Sequence, residues 1–171
     1  MTETLTLSID AMGGDNAPNM VVEGIETSLS HLAEVKFLLF GDEVKLAPLL
    51  ENHPWAAAVT EIRHTVEAIT NDQKVSSALR GGRNSSMRLA IDAVGAGEAA
   101  GVISAGNTGA LMAIAKFVLK TLPGIDRPAI AHAQALAYIR QQVSTLAHGF
   151  RTTGQRHAAV AHGDQLGRAD H

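Results

Sequence analysis

Leu5, Leu7 and Ile9 alternate with polar residues, the two-residue period of a half-buried strand, and the run stops at Asp10 before a glycine-containing loop from Ala11 to Ala17. Pro18 suits the first turn of a helix, where its missing N–H would be unpaired in any case. Val21, Val22, Ile25, Leu29 and Leu32 then fall on one helical stripe. Val35 to Phe40 is a β-branched and aromatic run closed by Gly41, and Asp42 is placed to cap a helix carrying Leu46, Leu49 and Leu50. Val59 to His64 predicts a third strand. Ser85 or Ser86 caps a helix that turns Met87, Ala90, Ile91 and Val94 inward, with Gly95 and Gly97 ending it. Gly101 to Ser104 predicts a fourth strand, too short and too apolar to lie exposed, and Thr108 to Leu119 the helix after it, broken by Pro123-Gly124.

Strands separated by helices in this order predict an α/β fold, a mainly parallel sheet with helices on both faces, because each crossover returns the chain to the same edge. Composition agrees: of 171 residues, 46% are hydrophobic and 18% charged, the balance of a globular domain. A net charge of -3 supplies no basic face, so nucleic acid is excluded as an expected partner. Without cysteine there is no disulfide, no thiolate nucleophile and no Cys-ligated zinc. Met1 to Met12 has neither a basic nor an apolar leader region, and no run of about 18 apolar residues follows. A soluble, cytoplasmic chain is the expectation.

In open α/β sheets ligands collect at the carboxyl ends of strands, where helix N-termini carry partial positive charge. Two segments are placed there. Asp10-Ala11-Met12-Gly13-Gly14-Asp15 follows the first strand, and its paired glycines allow close backbone approach to a ligand. Ser104-Ala105-Gly106-Asn107-Thr108-Gly109-Ala110 follows the fourth, where Asn107 and Thr108 add side-chain donors to backbone amides. Phosphate is the natural candidate ligand. The same glycines also serve any tight strand-to-helix turn, and Asn or Thr there also serves as a helix cap. Neither loop is a Walker A motif or a G-x-G-x-x-G dinucleotide fingerprint. Arg80-Gly81-Gly82-Arg83-Asn84-Ser85-Ser86-Met87-Arg88 is either a second anion-binding stretch or a solvated basic turn. Gly124-Ile125-Asp126-Arg127-Pro128 reads as a fixed turn with an Asp–Arg pair.

Taken together, these words resemble the phosphate acyltransferase (PlsX) family: Asp10 to Asp15, Ser85 to Arg88, Ser104 to Met112, and Lys116 to Ile130, in the family's order and spacing. The resemblance runs from about Leu5 to Ala131, and between Glu67 and Ser86 it lapses. It implies a Rossmann-like three-layer α/β/α fold, similar to isopropylmalate dehydrogenases and phosphotransacetylases and here incomplete. It also implies a homodimer that forms acyl phosphate from fatty acyl-[acyl carrier protein] and inorganic phosphate in phosphatidic acid synthesis. The product is expected to pass to a membrane glycerol-3-phosphate acyltransferase, hence a peripheral membrane association, and no metal or organic cofactor is implied. For that chemistry the enzyme must hold a polyanionic nucleophile in line and stabilise an oxyanion. Asn107, Thr108 and the Gly106 and Gly109 backbone are expected to hold phosphate, with Gly13 and Gly14 on the other side and Arg88 or Lys116 supplying charge. Ser85, Ser86 and Arg127 are further candidates for substrate binding. Asp10 and Asp15 are expected to orient a donor or the acyl-carrier arm, since a carboxylate repels phosphate.

Past Ala131 the chain no longer resembles the family. Residues 132–171 hold His132, His148, His157, His162 and His171 but no Lys and no Glu, a change of usage that predicts a frameshifted tail on a 1–131 family segment. Two alternatives stand beside the enzyme: a catalytically incomplete fragment of it, and an oxidoreductase on the related fold, for which the sequence carries no nicotinamide-binding fingerprint. Two other readings of the tail are a metal site from His157 and His162 with Asp164, or His171 with Asp170, whose spacings match no standard zinc motif, and an amphipathic helix from Ala133 to Leu146.

Overall fold

A computed structural model describes residues 4–32, 34–120, 130–133 and 159–163. In chain order the strands are β1 (Leu5–Asp10), β2 (Val35–Gly41), β3 (Thr60–His64), β4 (Gly101–Ser104), β5 (Ile130–Ala133) and β6 (Ala159–Gly163). The helices are α1 (Asn19–Ser28), α2 (Glu43–Glu51), α3 (Pro54–Ala58), α4 (Val75–Gly81), α5 (Ser86–Ala96) and α6 (Thr108–Leu119). The six strands form one sheet in the order β3-β2-β1-β4-β6-β5, with every neighbouring pair parallel.

The order reverses at β1. From β1 the chain steps outward to β2 and β3, then crosses back and lays β4 on the other side of β1. Helices leaving β1 and β4 therefore diverge to opposite faces, and a crevice opens between the two strand ends. Asp10, the last residue of β1, stands in register with Ser104, the last of β4, so the two glycine loops begin side by side.

Side chains alternate across a strand, and β2 shows this within one run. Phe37 and Leu39 enter the layer built by Val22 and Ile25 of α1 and Leu46 and Leu50 of α2. Leu38 and Phe40 enter the opposite layer, with Met87, Ala90 and Ile91 of α5 and Leu111 and Ile114 of α6. These two apolar layers make the three-layer α/β/α arrangement that the sequence predicts. Each fully buried Leu, Ile or Met contributes about 1.5–3 kcal/mol by leaving water.

The alternation in β1 has a different cause from the expected one. Ser8 and Asp10 do not face solvent; both are buried on the α5 side, at 0% and 1% exposure. The Ser8 hydroxyl donates to the Ala90 carbonyl at 2.7 Å and reaches the Gly101 carbonyl at 3.2 Å, so a small polar residue admits α5 close to the sheet. A polar position in a strand covered on both faces survives when a partner meets it, and periodicity alone does not distinguish that from solvent.

The caps agree closely with the pattern. Asp42 Oδ1 accepts from the Val44 amide, Ser85 Oγ from the Arg88 amide, and Asn107 Oδ1 from the Ala110 amide. Ser85 rather than Ser86 is thus the cap of α5. Gly97, at φ 79°, closes that helix in the left-handed region, while Gly95 lies inside it. The short helices α3 and α4, of five and seven residues, are too short to show a helical period in the sequence. Ala133 ends β5 instead of opening a helix, and residues 134–146, like Pro123-Gly124 and the Gly124–Pro128 turn, lie outside the described residues. So do His148, His157, His171, Asp164 and Asp170 of the tail. Among the described residues no helix is long and apolar enough to cross a membrane.

Candidate functional site

At the crevice between β1 and β4 one carboxylate joins three segments. Asp10 Oδ1 accepts the Ser86 hydroxyl at 2.6 Å, and Oδ2 accepts the Ser104 hydroxyl at 2.7 Å. The Met12 amide, 3.3 Å from Oδ1, and the Gly13 amide also point at the carboxylate. Ser86 is the first residue of α5 and Ser104 the last of β4, so Asp10 ties its own loop to a helix start and a strand end. Ser104 Oγ in turn accepts the Gly106 amide at 3.1 Å. Because the Ser104 proton is given to Asp10, its lone pairs are left for that amide.

The glycines around this cluster supply space. A Cβ on Gly13 would overlap Asp10 Oδ2 and come within 2.9 Å of Ser104 Oγ. One on Gly106 would lie 3.1 Å from Gly13 Cα and 3.2 Å from Met87 Cε, so the two loops touch backbone to backbone. Gly14 alone of the pair needs positive φ, at 103°, beside the Ala105 carbonyl. The amides of Gly13 and Gly106 are committed to Asp10 and Ser104, which turns them inward from the crevice.

Asn107 belongs to a second network. Its Oδ1 caps α6, and its Nδ2 approaches the carbonyls of Asn71 and Gln73 at 3.0 Å each and of Thr70 at 3.4 Å. Asn71 Nδ2 donates to Asp15 Oδ1 at 2.7 Å. The segment 70–73 is thereby strapped to both glycine loops. At the neighbouring position, a Cβ on Gly109 would meet Val75 Cγ2 of α4 at 3.0 Å. Thr108 and Gly109 are exposed in the first turn of α6, where the Gly109 amide has no acceptor within the helix.

Of the expected cationic groups, Arg88 is paired with a carboxylate of its own helix. Arg88 Nε binds both Asp92 oxygens, at 2.9 and 3.0 Å, and its guanidinium lies 5.9 Å from the centre of the Phe117 ring. Lys116 is exposed eight residues after Thr108, about 12 Å along α6 at 1.5 Å per residue. Arg127 lies outside the described residues. The structure thus gathers Asp10, Gly13, Gly14, Ser86 and Gly106 at one point and Asp15, Asn107, Thr108 and Gly109 beside it. Ser85 donates to the Gly82 carbonyl at 2.7 Å while capping α5. Ser104 was missed as a site residue of its own, although it opens the second glycine word; a polar residue ending an otherwise apolar strand was the available signal.

Burial pushes the Asp10 carboxyl above its ordinary range, against the opposing pull of Ser86, Ser104 and the Met12 and Gly13 amides. The linkage has a definite sign. A carboxyl raised in the folded state favours folding fully below its unfolded value, about 3.9, and that contribution is lost as pH rises through the folded value. Asp10→Asn is therefore expected to remove a decline in stability that wild type shows on going from about pH 4 toward neutrality. Urea midpoints across that range test it; parallel curves for the two proteins would remove the assignment.

An all-parallel sheet that reverses its order at β1, with helices on both faces, defines an α/β protein of the doubly wound class. Residues 5–140 match the model of a family described as "Fatty acid synthesis protein", and the chain belongs to that family. It is 62% identical over 131 residues to a phosphate acyltransferase of Rhodospirillum centenum, covering 77% of this chain and 37% of the relative. It is 56% identical over 131 residues to a phosphate acyltransferase of Rhodospirillum rubrum, covering 77% of this chain and 38% of the relative. A phosphate acyltransferase of Granulibacter bethesdensis is 57% identical over 129 residues, 75% of this chain and 35% of its own length. The chain thus spans little more than a third of the length of the curated relatives it matches.

Proposed function

We propose that this chain carries the phosphate side of an acyltransferase that forms acyl phosphate from fatty acyl-[acyl carrier protein] and inorganic phosphate, for phosphatidic acid synthesis. The observation that carries the reading is the meeting of the two glycine loops at the reversal point of the sheet, in a chain of this family. In the reaction a phosphate oxygen attacks the thioester carbonyl, the C–O bond forms, the C–S bond breaks, and the carrier leaves as its thiol. Holding phosphate in line replaces a bimolecular encounter, and donors aimed at the developing oxyanion lower the barrier.

Roles follow the geometry. Phosphate sits over the first turn of α6, held by the Thr108 hydroxyl and the Gly109 amide, where the helix end favours an anion. Gly13, Gly14 and Gly106, by lacking side chains, let the two loops close against each other beside it. Asn107 orients that turn and the 70–73 segment, with Asp15 holding Asn71 from the other loop. Ser85 and Ser86 set the start of α5, and Arg88 and Lys116 contribute positive field at a distance. Arg127 keeps its proposed contact with substrate. The wider reading is a cytoplasmic homodimer, peripherally associated with the membrane, that receives acyl carrier protein and hands its product to a membrane glycerol-3-phosphate acyltransferase.

Purified chain incubated with acyl-[acyl carrier protein] and phosphate is expected to release acyl phosphate in proportion to phosphate. The covered length favours one second reading, a catalytically incomplete part of such an enzyme. Phosphate binding without acyl phosphate formation, under conditions where a full-length relative is active, would select it.

A further inference from the structure

Asp10 is a buried charge-bearing group to which the acyl-transfer chemistry assigns no step, and it touches the beginning of one helix and the strand end that leads into another. Through Ser86 it holds the first residue of α5. Through Ser104 it holds the Gly106 amide, one residue before Asn107 caps α6. Asp10 itself is at 1% exposure, and Ser86 and Ser104 at 0% and 1%. At that burial bulk water does not reach these bonds, and each hydroxyl proton would lose its acceptor if the carboxylate withdrew.

We propose that Asp10 is the positioning residue of the phosphate site, a clamp that fixes the starts of α5 and α6 relative to β1 and so aims the first turn of α6. Two serine protons directed at one carboxylate leave Ser104 able to accept from Gly106, which fixes the Ala105–Gly106 peptide and hence the angle at which the chain enters α6. Negative charge at the N-terminus of α5 is itself favourable, which offsets part of the cost of burial. Asn at position 10 keeps the shape but brings an NH2 group to one serine. That serine's proton then loses its acceptor, so the clamp is loosened without a cavity. Asp10 acts through these neighbours and does not itself touch phosphate, with which a carboxylate would compete. The proposal rests on the reading of this site as a phosphate site.

The test uses the whole chain, with amide hydrogen exchange followed by NMR and inorganic phosphate as the probe. In wild type the Gly106 amide is expected to be protected, and in Asp10→Asn and Ser104→Ala its exchange rises at least about tenfold, the loss of roughly one buried hydrogen bond. The Leu39 amide in the middle of the sheet serves as the internal control and is expected to keep its rate. Phosphate-induced shifts at Gly109 are expected to saturate at about tenfold higher phosphate in both variants. Ser86→Ala, which leaves the Ser104 arm intact, is expected to change Gly106 exchange by less than the other two. Equal phosphate affinity in wild type and variants overturns the positioning role while leaving the phosphate site standing. Failure of wild type to bind phosphate overturns the site and the clamp's purpose together, and the two failures are told apart by the wild-type titration alone. Unchanged Gly106 exchange in both variants overturns the clamp whatever phosphate does.

Discussion

Gly13→Ala is expected to lower stability by about 2–4 kcal/mol, the sum of overpacking and of buried hydroxyls losing their acceptor. The added methyl would occupy the place of Asp10 Oδ2. A long flexible side chain could swing away at little cost, but this carboxylate is held by Ser86, Ser104 and two backbone amides, so moving it breaks several bonds together. Moving the loop instead parts it from Gly106, on which even a Cβ would lie 3.1 Å from Gly13 Cα, so the close packing of the two backbones is lost. Gly24→Ala is the matched control, since nothing lies within 4 Å of a Cβ there and the residue is inside α1. That change is expected to be neutral or to stabilise by about 0.5–1 kcal/mol, because alanine is the better helix former. Urea denaturation of both variants measures the difference. Similar midpoints for the two would mean that the Gly13 contact is not the constraint described, and phosphate affinity should fall only in the Gly13 variant.

Asn107→Ala is expected to cost about 2–3 kcal/mol, combining a lost helix cap with lost donors to the 70–73 carbonyls. Asn107→Asp separates the two contributions. Its carboxylate can still accept the Ala110 amide, so the cap survives, but its second oxygen then faces the carbonyl oxygens of Asn71 and Gln73 and repels them. The aspartate variant should therefore retain more stability than the alanine one while releasing the 70–73 segment to the same extent. Protease sensitivity within that segment reads the release, and the phosphate KM of an active full-length relative carrying the same changes reads its consequence. If the aspartate variant left the segment as resistant as wild type, the strap would not depend on the amide nitrogen.

The strand and helix series was legible wherever a residue's role is local. A cap needs only its own helix start, so Asp42 could be read from position, and Ser85 and Asn107 to within one residue. Apolar spacing placed α6 at Thr108–Leu119, and the run from Val35 placed β2. The two glycine loops were visible as loops at strand ends. Which residues meet across them was not, because Asp10 and Ser104 are far apart in the chain and only the return of β4 to the side of β1 brings them into register. The sequence also left undecided where an amide or a charge points. Asn107 and Arg88 carry the right groups for an anion, yet the first is engaged by three carbonyls and the second by Asp92.

By itself, then, the chain's pattern determined an α/β series with small residues at two strand ends, since backbone preference and hydrophobic period act over a few neighbours. The tertiary structure alone decided that the polar half of β1 faces α5 instead of water, and that one buried carboxylate gathers both loops. The physical reason is that desolvation and hydrogen-bond pairing depend on what the fold brings alongside a residue, which no local period encodes.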